Sequence, residues 1–139
     1  MKKSVVILIA IIYVASIALV SFFGLNFKSY NEKIYVSDVK IVNSDVLLNE
    51  EGGKYVVIRP NARGELIYKI DCEITPSDAS TTELEYTYDK EIDYVSIGDD
   101  GTVMFDKGKM GQRGAVEVTV VSTDGTGLSD TISILAFAR

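Results

Sequence analysis

The 139-residue chain has no histidine and no tryptophan, one cysteine and two prolines. Without histidine there is no Ser–His or Cys–His nucleophile pair and no His-liganded zinc. A lone cysteine, Cys72, excludes an intramolecular disulfide, so the fold must be held by packing alone. Phosphate-binding loops are missing as well. Gly98, Gly101, Gly108, Gly111 and Gly114 separate strand-like segments instead of opening a helix with Gly-Lys-Ser/Thr. There is no Asn-x-Ser/Thr glycosylation acceptor. Nor is there a basic cluster of the kind nucleic acid requires: 14 basic residues face 20 acidic ones, for a formal net charge of −6. These absences argue against an enzyme, a cofactor or resident metal, and a nucleic-acid partner.

What the chain does have is one long apolar run, Ser4 to Phe27, with no charged residue in it. A helix over that length rises about 36 Å at ~1.5 Å per residue, enough to cross the roughly 30 Å hydrocarbon core of a bilayer. Two readings compete. Lys2 and Lys3 followed by apolar residues, with Ser16 and Ala18 as a small pair, would suit a cleaved signal peptide. The run continues through Leu19, Val20, Phe22, Phe23 and Leu25, which favours a retained transmembrane anchor over residues 1–27. Lys2, Lys3 and the terminal amine lie on one side of it with no acid nearby, so the expected orientation is N-terminus cytoplasmic and the rest outside. Residues 28–33 read as a short polar stalk.

From Ile34 onward the pattern changes to alternation, and residues 34–139 are expected to form one domain. Beyond residue 27 remain all 20 acids and all but two of the basic residues, a net charge of about −8 that disfavours lying on an anionic bilayer. Strands are expected at Ile34–Val42, Val46–Leu48, Tyr55–Ile58, Glu65–Ile74, Leu84–Tyr88, Tyr94–Ile97, Thr102–Phe105, Ala115–Ser122 and Asp130–Ala138. The clearest is Glu65–Ile74: Leu66, Tyr68, Ile70, Cys72 and Ile74 alternate with mostly charged neighbours, the mark of a strand half-buried on a core. Cys72 falls on the apolar face, where a small buried hydrophobe is the plain reading. Pro76-Ser77-Asp78-Ala79 and Gly98-Asp99-Asp100-Gly101 read as turns. Some seven to nine short strands without an amphipathic helix imply an all-β fold, an antiparallel sandwich or barrel.

The order of these pieces resembles the bacterial Ig-like domains of the group-2 type. The residues carrying the likeness are Ile70–Ile74 running into Pro76-Ser77-Asp78-Ala79, then Leu84-Glu85-Tyr86, Val95-Ser96-Ile97, Gly101-Thr102-Val103, and Gly114–Val120 with Thr131–Leu135 to close. Tyr86 stands where that family commonly has tryptophan. The resemblance spans Ile34 to Ala138 and implies an antiparallel Ig-like β-sandwich, which would follow the N-terminal transmembrane helix read from the apolar run. It also implies a binding, adhesive or scaffolding role at a bacterial cell surface, with envelope proteins or glycans as partners.

Two groups of side chains merit a chemical reading. Glu91, Asp93, Asp99 and Asp100 could supply oxygens to Ca²⁺ if the fold gathers them, but their spacing matches no EF-hand loop and solvated turn residues are the favoured reading. The glycine-rich loop Asp106–Gly114 carries Lys107, Lys109, Met110 and Arg113, a local reversal of sign on an acidic domain and a candidate partner contact. If residues 1–27 are an anchor, peptides covering residues 4–27 will be recovered with the domain in mass spectra of the membrane fraction. Their loss would identify a cleaved signal.

Overall fold

The computed structural model describes residues 2–27 and 32–139, excluding the side chains of residues 25–27. The chain divides into two compact units, Met1–Lys33 and Ile34–Arg139. Of the expected stalk, residues 28–31 lie outside the described residues, and Glu32 and Lys33 carry no regular structure.

Helix α1 (Lys3–Phe27) is 25 residues long. Its stretch Lys3–Gly24 is long and apolar enough to cross a membrane, with a mean hydropathy of 2.9, and it is the one such helix among the described residues. A helix suits hydrocarbon because each backbone group finds its partner within the segment. Ser16 follows the same rule: its hydroxyl donates to the Ile12 carbonyl one turn back, at 2.8 Å.

The second unit is mostly β. Its elements are β1 (Asp38–Ile41), β2 (Leu47–Leu48), β3 (Lys54–Ile58), β4 (Leu66–Lys69), β5 (Cys72–Thr75), β6 (Leu84–Thr87), β7 (Val95–Ile97), β8 (Thr102–Phe105), a helical turn α2 (Lys107–Met110), β9 (Arg113–Ser122) and β10 (Ser129–Phe137). They form three sheets: β1-β5, β2-β3-β10-β9-β6 and β4-β8-β7. One core joins them. Val118, Val120, Ile132, Ile134 and Ala136 of the large sheet, Leu66, Tyr68, Val95, Val103 and Phe105 of the three-stranded sheet, and Val39 and Ile41 of β1 all belong to it. Burying each large apolar side chain contributes roughly 1.5–3 kcal/mol.

The structure departs from the sequence expectation in two ways. Residues Glu65–Ile74 form two strands, not one. β4 pairs β8, and β5 pairs β1. Asn43 makes the crossing: its amide nitrogen donates to the Lys69 carbonyl and its amide oxygen accepts from the Asp71 N–H, both at 2.8 Å. The inward alternation nevertheless runs unbroken through Ile70, which is buried. That division brings the strands among the described residues to ten, above the seven to nine expected. Second, the large sheet is mixed, not wholly antiparallel, because β3 and β10 run parallel with Val56 opposite Ile134. Parallel neighbours need a long crossover, and here β4 to β9 supply it.

The first strand and the segment leading into it are held by two carboxylates from the β9–β10 region. Asp124 accepts from the Val36 N–H at 2.6 Å, and also from the Ser122 hydroxyl and from the Thr126 hydroxyl and N–H. Asp130 accepts from the Ile41 N–H at 2.8 Å, pairs with Lys54, and accepts from the Thr131 N–H. Val36 and Ile41 are both buried.

The Thr126 hydroxyl, together with the remaining donors, holds the Asp124 carboxyl well below the usual carboxylate range against the opposing pull of desolvation. At Asp130 burial pushes upward, but the Ile41 amide, Lys54 and the Thr131 amide outweigh it and the net direction is down. Carboxylates depressed in the folded state stabilise it above their unfolded pKa of ~4, and that contribution is lost as pH falls through the folded value. Thermal unfolding is therefore expected to be insensitive to these groups between pH 7 and 5 and to weaken below about pH 4, less steeply in Asp124→Asn. Asp130→Ala, which strips the partner from a buried amide, should cost about 1–3 kcal/mol in urea unfolding at pH 7.

Candidate interaction surfaces

The fold does not gather the acidic residues into one site. Glu91 and Asp93 precede β7, whereas Asp99 and Asp100 follow it. The strand Val95–Ile97 stands between the two pairs. Asp100 is engaged locally: its carboxylate accepts from the Thr102 N–H and hydroxyl, which lower its pKa, and it lies 3.9 Å from Lys69. Among the described residues no group of three or more His, Cys, Asp or Glu side chains could hold a metal ion. Cys72 is half-buried, and burial, then the charges of Asp130 and Asp71, push its thiol up to about 11. It stays protonated at neutral pH, whereas attack on an electrophile needs the thiolate.

The segment Asp106–Gly114 is more ordered than its glycines suggest. Asp106 caps α2, accepting from the Gly108 N–H at 2.9 Å. That single turn lowers Met110 into the core, where it is 8% exposed. Gly114 makes room for it: a Cβ there would come within 2.5 Å of Met110 Cγ and 2.9 Å of the Tyr94 ring. Met110 thus faces inward, while Lys107, Lys109 and Arg113 remain exposed. The two lysines reach the Gly64 and Asp93 carbonyls at 3.2 and 3.5 Å.

The sequence did not reveal a cleft of about 860 Å³ between β6 and the β7–β8 turn. β6 ends the large sheet and β7 ends the three-stranded one, so both present an open edge here. Leu84, Tyr86, Tyr88 and Ile97 are half-buried along it, and Glu83, Glu85, Lys90 and Asp99 are exposed at its rim. Tyr86 reaches under the β7–β8 turn at Gly101, whose φ is +80°, and a Cβ there would lie 2.8 Å from the ring. Lys90 sits over the Tyr88 ring at 5.5 Å. The sequence marks a strand over Leu84–Tyr88, but only strand order shows that β6 is an edge.

A second surface is the outer face of the large sheet. Leu47, Val57 and Phe137 are exposed there, beside hollows of 640 and 440 Å³ that share Glu117, Ser133 and Leu135.

No protein-family model matches the chain, and no curated protein sequence matches it.

Truncation separates the two roles within residues 106–114. Met110→Ala should destabilise the chain by about 2–4 kcal/mol in urea unfolding, whereas Lys107→Ala and Lys109→Ala should stay within ~0.5 kcal/mol. A large cost at either lysine would make it part of the fold instead of a free surface.

Proposed function

We propose that the chain is a membrane-anchored, extracytoplasmic module whose domain is an Ig-like β-sandwich, and that it binds or scaffolds other components at a bacterial cell surface without catalysis. The observation that carries this reading is the joining, in one chain, of a long apolar helix to an acidic β domain with open strand edges. Lys2 and Lys3, at the N-terminal end of the helix, favour an N-terminus in the cytoplasm and a domain outside. The partners this reading implies are envelope proteins or surface glycans, with Lys107, Lys109 and Arg113 as one candidate contact.

A second reading, an accessory subunit whose helix makes the specific contact, draws on Tyr13. Tyr13 is 68% exposed near the middle of α1 and carries a hydroxyl there. In hydrocarbon such a group favours a neighbouring helix that offers an acceptor. Ala10, Ala15, Ser16, Ala18 and Gly24 are small enough to admit one closely.

Crosslinked pulldown of the full-length chain from its native membrane, with mass spectrometry of what accompanies it, tests both. The module reading expects envelope components that remain when α1 is replaced by an unrelated anchor. The subunit reading expects membrane proteins that are lost on that replacement, or in Tyr13→Phe and Ala15→Leu/Ala18→Leu. Recovery of neither would reject both.

A further inference from the structure

The open edge of β6 carries a more specific inference, which rests on the reading of the domain as a binding module. Register places Leu84, Glu85, Tyr86 and Thr87 opposite Ser122, Val121, Val120 and Thr119 of β9. The next pair outward, Glu83 with Thr123, is hydrogen-bonded through the Thr123 N–H and the Glu83 carbonyl. Bonded pairs alternate along an antiparallel ladder. Glu85 and Thr87 therefore spend their backbone groups on β9, and Leu84 and Tyr86 turn theirs to the open side. The same logic applies across the cleft. Tyr94 and Gly98 bond β8 and its turn, so Val95 and Ile97 face the opening, and the Val95 carbonyl there accepts from the Tyr88 hydroxyl at 3.5 Å. The free backbone of Leu84 and Tyr86 thus borders a cleft of about 860 Å³.

The two faces of that edge differ in chemistry. Leu84 and Tyr86 point inward and are half-buried. Glu83 and Glu85 point outward and are exposed. The ion pairs found among the described residues are Lys54–Asp130 and Lys69–Asp100, so neither glutamate has a cation. A second copy of this chain is a poor occupant, because antiparallel pairing of two β6 edges would set glutamates against glutamates, and like charges directly opposite destabilise a sheet.

We propose that the β6 edge receives an extended segment of a partner protein in which basic and apolar residues alternate. Main-chain bonds to Leu84 and Tyr86 hold it, as in strand addition. Its apolar side chains fall beside Leu84 and Tyr86, and its basic side chains fall beside Glu83 and Glu85. Two basic residues separated by one apolar residue form the minimal pattern.

The test is a display library of random decapeptides panned against the full-length chain in detergent micelles. Enriched peptides are then synthesised for binding and for hydrogen exchange. Expected are sequences alternating Lys or Arg with apolar residues, and slowed exchange at the Leu84 and Tyr86 amides. Binding should weaken about tenfold or more in Glu83→Lys/Glu85→Lys, where attraction becomes repulsion. Failure to enrich any peptide, enrichment without that alternation, or unchanged exchange at Leu84 and Tyr86 would overturn the proposal. If envelope components still follow the domain in the pulldown, such a failure removes the edge assignment and leaves the binding-module reading standing. If they do not, both fall.

Discussion

The domain depends on how its first strand is held. Val36 and Ile41 enter the core with their N–H groups aimed away from β5, and no strand takes those amides. Asp124 and Asp130 do, from the β9–β10 region at the far end of the chain. A buried amide without an acceptor is expensive, so these two carboxylates decide whether the start of the domain closes onto its end. Charge serves the same closure: Lys54 of β3 joins Asp130, linking the β3–β10 pairing to β1 through one side chain. In an acidic domain without disulfides, two of the many acids are thus internal fastenings and most of the rest are solvated.

A similar economy governs the passage between sheets. The chain from Leu66 to Thr75 keeps one inward face while it leaves β8 for β1, and Asn43 satisfies the two backbone groups stranded at the crossing. Exchanging partners without exchanging faces lets one core serve three sheets. It also leaves the strand orders with ends, and two of those ends, β6 and β7, face each other across a cleft. Exposed edges invite pairing and are normally blunted. β7 is blunted by Tyr88 on the Val95 carbonyl, while β6 is guarded by its glutamates alone.

Much of the domain was legible in the residues because burial leaves a period. Alternation marked the strands, and Gly98–Gly101 marked a turn that the structure closes with the Gly98 and Gly101 backbone and Asp100. Met110 was misplaced in that reading. Its neighbours Lys107, Lys109 and Gly111 look like an exposed loop, and nothing local reveals that one helical turn and the absent side chain of Gly114 drop the thioether into the core. The parallel β3–β10 pair was equally out of reach, because a period-two pattern reports which way a side chain points and is silent about the neighbour.

Local sequence is enough to account for the apolar helix, the β character of the remainder and the acidity. These follow from composition and period, which are local properties. Tertiary structure alone decided which strands became edges, which acids became amide acceptors and where the cleft opened. Each of those depends on pairing between residues distant in the chain, and the energy of such a contact is written at neither residue alone.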